Sequence, residues 1–80
     1  MSLKELKYIV VDPSICHGKP VFRGTRILVS DILELLASGG SISDVLQEYP
    51  QLNEDMIREA FKYAAIILRR KYRVIEIYTG

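Results

Sequence analysis

Two adjacent residues, Cys16 and His17, are of the types that carry out nucleophilic catalysis or bind metal ions. Adjacent side chains of an extended segment point to opposite sides, so we do not expect a thiolate–imidazole pair here. A zinc site needs four protein ligands, whereas the chain has 1 Cys and 1 His. We therefore interpret Cys16 as buried and unreactive. There is also no Ser-His-Asp set and no suitably spaced carboxylate pair, so the sequence predicts a protein that is not an enzyme and uses no cofactor or metal.

Two arginines of the same segment, residues 12–27, are better candidates for binding another molecule. Arg23 and Arg26 enclose a Gly-Thr pair, and a turn at that point would present both guanidinium groups to phosphate or carboxylate groups. We expect Arg26 to pair with an acidic residue such as Asp31 or Glu48 and so to hold the segment against the helices. For Arg23, the sequence leaves a contact with another molecule as an open alternative.

The chain has 80 residues, enough for one domain near the lower size limit of independent folding. A hydrophobic content of 49% provides a core, and 26% charged residues argue against disorder. No apolar run reaches the roughly 18 residues that a membrane span requires. The N-terminus has no signal-peptide pattern and a single cysteine fits a reducing compartment, so we expect a cytoplasmic protein without a membrane partner or a small-molecule substrate.

Charge is distributed unevenly, although the net charge is only +1. Residues 27–57 contain six acidic residues and no Lys or Arg, whereas the segments on either side are both net basic. The basic ends could bind phosphate, or they could neutralise the acidic middle of the same chain or of a second chain. The charge pattern therefore leaves nucleic acid and protein partners both open.

The N-terminal part of the chain has β-type patterns. A short strand is predicted over residues 6–11, and a small hairpin with a turn at Gly24 is predicted from residues 20–22 and 26–29. A final β-type run, residues 73–78 (RVIEIY), predicts a short strand near the C-terminus.

Three helices are predicted between these β-type segments. The first covers residues 30–38 and is capped by Ser30, and the second starts at a capping box formed by Ser41 and Asp44. The third covers residues 54–71 and follows a capping Asn53. The sequence thus predicts one mainly α domain with short β segments at both ends, and its three helices fit either a helix-turn-helix or a generic three-helix bundle. Its parts are residues 1–28 (β and loop), 29–72 (helical core) and 73–80 (β-type tail).

At a rotation of about 100° per residue, the side chains of the third helix fall into three stripes along its axis. The stripe expected to face the core contains Ile57, Phe61, Ala64 and Leu68. A basic stripe lies beside it, and together with the N-terminal basic residues it gives the candidate nucleic-acid contacts Lys19, Arg23, Arg58, Lys62 and Arg69. Glu54 and Asp55 at the helix start would repel phosphate, which weakens conventional insertion into the major groove.

An apolar sector of the third helix, formed by Met56, Tyr63, Ile66 and Ile67, is expected to remain uncovered by the small core and to bind a partner or a second copy. With the exposed strand edges, it gives the candidate interface residues Tyr8, Val10, Tyr63, Ile66, Ile67, Ile75 and Ile77. We expect a homodimer.

Several short motifs resemble a known family. They are VDP at residues 11–13, GKPV at 18–21 and GTRI at 24–27, and the similarity continues over about residues 8–65. On these residues the chain is identified as a member of domain-of-unknown-function family 433, small prokaryotic proteins regarded as antitoxins of the VapB-like kind. The resemblance implies a mainly α fold, a three-helix homeodomain-like helix-turn-helix with a β-type N-terminal segment. It also implies a PIN-like nuclease toxin as partner, and operator DNA bound as an autorepressor. His17 stands where the family usually has Gly and inherits no role. The alternative is a protein-interaction and dimerisation module that does not bind DNA.

Overall fold

The fold is that of a small, mainly helical domain with one short antiparallel hairpin. The computed structural model describes residues 5–79, with side chains described for residues 5–70. Its elements are β1 (Ile9–Val10), β2 (Val21–Phe22), α1 (Val29–Ala37), α2 (Ile42–Glu48) and α3 (Glu54–Thr79). The prediction of three helices after a β-type N-terminal segment is confirmed.

The strand predicted over residues 6–11 pairs with the first strand of the predicted hairpin, whereas the pairing predicted between residues 20–22 and 26–29 is reduced to a single bridge. β1 pairs with β2 in antiparallel register, with Ile9 opposite Phe22. The chain then turns at Gly24, which has a positive φ of 78°, and Val21 forms an isolated bridge with Leu28. Glycine adopts this left-handed conformation without the clash that a Cβ would introduce, so the predicted turn at Gly24 is confirmed.

α1 begins without the side-chain cap that the sequence predicted. Its N-cap is Leu28, which makes no side-chain cap hydrogen bond, so the prediction of Ser30 as the cap is wrong. The backbone of the preceding segment takes over part of this role, because the Val29 N–H donates to the Pro20 carbonyl oxygen at 3.1 Å. An N–H group left free at a helix start needs such a partner.

α2 and α3 begin at the caps that the sequence predicted. In α2 the Ser41 hydroxyl accepts from the Asp44 N–H, and the Asp44 carboxylate accepts from the Ser41 N–H, both at 3.0 Å. At the start of α3, Asn53 Oδ1 accepts from the Met56 N–H at 2.9 Å. Both arrangements satisfy backbone donors that the helix itself leaves unpaired.

The predicted C-terminal strand is wrong, because α3 continues without a break through residues 73–78. Neither Gly nor Pro occurs between Asn53 and Gly80 to stop the helix. Extending an existing helix adds about one hydrogen bond per residue, whereas a new strand needs a partner strand. The β-type residues of this run therefore adopt the helical state, and the β structure is confined to the N-terminal hairpin.

The core lies between the hairpin, α1, α2 and the first part of α3. Its fully buried large side chains are Val21, Phe22, Val29, Ile32, Val45 and Ile57. The stripe predicted to bring α3 into this core is wrong at two positions, since Phe61 is 49% exposed and Leu68 is 64% exposed. Ile57 faces the core as predicted, and it is joined there by Ala60 and by Met56, a residue that was expected to remain uncovered.

Within the described residues, no helix is both long enough and apolar enough to cross a membrane.

Candidate interaction surfaces

The Cys-His pair lies in a turn whose backbone conformation is unusual. Cys16, His17 and Gly18 have φ values of 50°, 59° and 80°, so the segment is left-handed and the expectation of an extended chain is wrong. Cys16 is half-buried rather than buried, and its thiol donates to the Arg26 carbonyl oxygen at 3.7 Å. His17 is exposed. Among the described residues, no group of three His, Cys, Asp or Glu side chains is placed to hold a metal ion.

A local network of hydrogen bonds supports this turn from its N-terminal side. The Asp12 carboxylate accepts from the Ser14 hydroxyl at 2.7 Å and from the Ser14 N–H at 2.8 Å. These hydrogen bonds, with the hydroxyl first, lower the pKa of the Asp12 carboxyl. The DPS motif therefore shapes the loop, and its polar groups are engaged within the chain.

Arg23 is tied to the chain's own N-terminal segment. Its side-chain Nε donates to the Lys7 carbonyl oxygen at 2.9 Å, and its backbone N–H donates to the Tyr8 carbonyl oxygen at 2.6 Å. The side chain is nevertheless exposed, so it holds the hairpin to the N-terminal segment at the protein surface.

Arg26 does not form the ion pair that the sequence predicted. In the part of the chain with described side chains, the ion pairs involve Arg58, and Arg26 contacts neither Asp31 nor Glu48 in this way. Arg26 is exposed and its backbone carbonyl oxygen receives the Cys16 thiol. A backbone contact thus replaces the expected charge pair.

Glu59 joins α3 to the N-terminal segment, a role that the sequence analysis missed. This carboxylate is only 7% exposed and accepts from the Lys7 N–H at 2.7 Å and from the Tyr8 N–H at 2.5 Å. A buried carboxylate is stable only when its oxygens are hydrogen-bonded, as they are here. No local signal distinguished Glu59 in the sequence, because its burial depends on which side of α3 packs against the domain.

The three basic candidates on α3 are exposed, but their charges are not equally free. Arg58 lies 3.8 Å from Glu54 and 3.5 Å from Asp55, and all three side chains are at least 61% exposed. Exposed pairs of this kind contribute a few tenths of a kcal/mol but partly neutralise the arginine. Lys62 and Arg69 lie further along the helix. Lys19, the remaining candidate with Arg23, is exposed in the N-terminal loop.

The predicted apolar sector of α3 is largely covered by the chain itself. Ile66 is 5% exposed and Tyr63 and Ile67 are half-buried, so the expectation of an uncovered sector is wrong at Ile66. Tyr8 and Val10 are also half-buried. The last two interface candidates, Ile75 and Ile77, lie outside the residues whose side chains are described.

An acidic groove runs between α1 and the end of α2. Its lining residues are Asp31, Glu34, Leu35, Ser38 and Tyr49. Asp31 and Glu34 are exposed and carry the charge, while Leu35 and Tyr49 are half-buried and provide apolar surface. Because residues 27–57 contain no Lys or Arg, no basic side chain of these helices neutralises the groove. Carboxylates beside aromatic and aliphatic groups suit the long side chains of arginine and lysine.

The fold and these surfaces define a small three-helix domain whose exposed faces carry segregated charge. The chain belongs to the family described as "Protein of unknown function (DUF433)", whose model matches residues 9–64. This finding confirms the family that the GKPV and GTRI motifs indicated.

Two relatives extend this comparison. The chain is 40% identical over 67 residues to "Uncharacterized protein y4eO" of Sinorhizobium fredii (strain NBRC 101917 / NGR234), a match that covers 82% of this chain but only 30% of that relative. It also resembles the crystal structure of a DUF433 member protein from Anabaena variabilis ATCC 29413, with a TM-score of 0.72 and 26% identity. That match covers 85% of this chain and 67% of the other.

Proposed function

We propose that this protein is an antitoxin, a small cytoplasmic binding protein that neutralises a PIN-like nuclease toxin through its acidic groove. The observation that carries the proposal is the groove itself, where Asp31 and Glu34 lie beside Leu35 and Tyr49 and none of the lining residues is basic. A nuclease binds a polyanionic substrate and therefore presents a positively charged channel. An acidic surface with apolar content is complementary to such a channel and competes with the nucleic acid for it.

The choice of acidic residues decides whether this proposal can be tested without unfolding the protein. Asp44 belongs to the same acidic block, but it closes the capping box of α2 and is unsuitable for substitution. Asp31 and Glu34 are exposed and appear in none of the described ion pairs, so their neutralisation leaves the fold intact. Neutralisation of Glu54 and Asp55 provides a matched control, since it removes the same amount of charge from another surface.

The experiment is co-purification of the tagged chain with the product of the adjacent gene, followed by measurement of the dissociation constant. We expect the double variant Asp31→Asn/Glu34→Gln to weaken the complex by roughly tenfold or more, since truncating buried charged contacts costs about 2 kcal/mol or more. The double variant Glu54→Gln/Asp55→Asn should bind like the wild type. Equal losses in both variants, or a loss in neither, would contradict a role for the groove.

Operator binding is a second candidate function, favoured by the exposure of Lys62 and Arg69 on the side of α3 away from the core. Arg58 is less suited to phosphate because Glu54 and Asp55 already contact it. Under this proposal the phosphate contacts come from the C-terminal part of α3 and from Lys19 and Arg23, rather than from the acidic helix start.

A gel-shift titration with the DNA upstream of the chain's own gene tests this second candidate across salt concentrations. Each of Lys62→Ala and Arg69→Ala should reduce the slope of log K against log salt by about 1. Absence of binding at low salt, or binding that ignores salt, would exclude the operator role. The protein would then act as an interaction module that does not contact DNA.

A further inference from the structure

The outward side of α3 carries apolar residues that the domain does not use. Phe61 is 49% exposed, Leu68 is 64% exposed, and Ala65 between them is exposed as well. Their spacings are four and then three residues, and the sequence continues the same alternation at Tyr72 and Ile75. We call Phe61, Ala65, Leu68, Tyr72 and Ile75 the outer stripe.

The outer stripe begins one turn after the buried Ile57, which is close to it in helical angle, and lies away from the other residues of α3 that pack into the domain. Met56 and Ala60 belong to the buried core, and Tyr63 packs against it. At about 100° per residue, Ala65 is separated by roughly 160° from Tyr63 and by roughly 180° from Met56. Beyond Ile57, the helix therefore carries apolar residues that its own domain does not cover.

We propose that the outer stripe is the seam of a homodimer, in which the α3 helices of two copies pack side by side as a short parallel coiled coil. Alternating spacings of four and three residues place the stripe at the a and d positions of a heptad repeat. A seam with this repeat fits another helix with the same repeat, and a second copy of this chain supplies one. The domain already holds the first part of α3 in helical form, which reduces the entropy cost of pairing so short a seam.

Charges beside the stripe favour a parallel arrangement of the two helices. Lys62 and Arg69 occupy e positions in this register. Antiparallel pairing of residues 61–68 would place Lys62 of one copy beside Arg69 of the other, and like charges across a seam are unfavourable. Parallel pairing places Arg69 opposite position 64, which is Ala64.

The sequence register adds complementary charges to the parallel arrangement. By position in the repeat, Lys71 falls at g and Glu76 at the following e, five residues later. In a parallel dimer these two positions of different copies are neighbours, so opposite charges face each other twice. This dimer does not depend on the antitoxin or operator proposals, and it uses different residues from the covered sector around Ile66.

Sedimentation equilibrium of the wild type and of two glutamate variants tests the seam. Leu68→Glu places a charge in the stripe, whereas Val11→Glu makes the same type of change at another exposed apolar residue, 59% exposed in the N-terminal segment. We expect the wild type to dimerise, Leu68→Glu to weaken dimerisation by roughly tenfold or more, and Val11→Glu to behave as the wild type. Circular dichroism should show both variants folded, because neither side chain belongs to the core. A monomeric wild type, or equal association in all three proteins, would overturn the proposal.

Cysteine cross-linking distinguishes the orientation. In a Cys16→Ser background, Phe61→Cys and Leu68→Cys should each oxidise to a disulfide dimer, because a parallel seam places every position beside its own copy. Val11→Cys serves as the control and should remain monomeric. Cross-linking at only one of the two stripe positions, or at neither, would overturn the parallel arrangement.

Discussion

Replacement of Glu59 by glutamine should destabilise the protein far more than the loss of one charge would suggest. Glu59 is 7% exposed, and each of its carboxylate oxygens accepts one backbone N–H, from Lys7 and from Tyr8. Glutamine keeps the shape of the side chain but offers one oxygen and one NH₂ group. One of the two backbone N–H groups must then face another donor.

The magnitude follows from the cost of leaving a buried donor unpaired, which is about 1–3 kcal/mol. The remaining hydrogen bond also changes from charge-assisted to neutral, which weakens it further. We expect a loss of about 2 kcal/mol in the free energy of unfolding, which corresponds to a decrease in Tm of roughly 8–16 °C for a domain of this size. Because Glu59 joins α3 to the segment before β1, unfolding of the variant should begin at that segment.

Thermal denaturation followed by circular dichroism measures this loss, with Glu34→Gln as the control. Glu34 is exposed, and its substitution should change stability by no more than about 0.5 kcal/mol. Amide hydrogen exchange gives a second measurement, since the Lys7 and Tyr8 amides should lose protection in the Glu59 variant. A Glu59→Gln protein that melts with the Glu34→Gln control, with the two amides still protected, would refute the role assigned to this carboxylate.

Three further predictions concern the cap of α2, the end of α1 and the core. Hydrogen bonds from the Ser41 N–H, and then from the Ser41 hydroxyl, lower the pKa of the Asp44 carboxyl in the folded protein. The ionised carboxylate therefore stabilises the folded state above the ordinary aspartate pKa of about 4, and this stabilisation is lost as the pH falls through the lower pKa of the folded state. The Tm advantage of the wild type over Asp44→Asn should therefore shrink between neutral pH and strong acid, and an unchanged difference would contradict it. Gly40→Ala should lower the free energy of unfolding by about 1–3 kcal/mol in urea denaturation, because the new Cβ would lie 2.9 Å from the Leu35 carbonyl oxygen. A variant as stable as the wild type would contradict this prediction and show that the turn can move. Phe22→Ala should remove about 3–5 kcal/mol, a large part of the stability of an 80-residue domain, and a cooperative melt near the wild-type Tm would contradict its place in the core.

The local features that could be predicted from the sequence are those that neighbouring residues decide among themselves. The capping box of Ser41 and Asp44, the Asn53 cap and the turn at Gly24 depend on groups within a few residues of one another, and all three are present. Family membership was likewise accessible, because GKPV and GTRI stand in the sequence as printed.

The errors occurred where distant parts of the chain compete for the same residue. The run at residues 73–78 has β-type composition, yet it continues α3 because helix propagation requires no partner strand. Ser30 was replaced as a cap by a contact between the start of α1 and the backbone at Pro20. For Arg23, the Lys7 carbonyl oxygen was an acceptor that no local pattern could indicate.

The sequence by itself determined the family, the three helices, the caps of α2 and α3 and the segregation of charge, because these follow from composition and short-range spacing. Only the tertiary structure decided which side of α3 turns inward. The sequence grouped Ile57 with Phe61 and Leu68, whereas packing against α1, α2 and the hairpin buried it together with Met56 and Ala60. Phe61 and Leu68 were left outside as a consequence, and the carboxylate of Glu59 was placed where it could bind the N-terminal segment. Burial is a property of the whole arrangement of elements, so the apolar residues of a helix do not by themselves show which face the domain will cover.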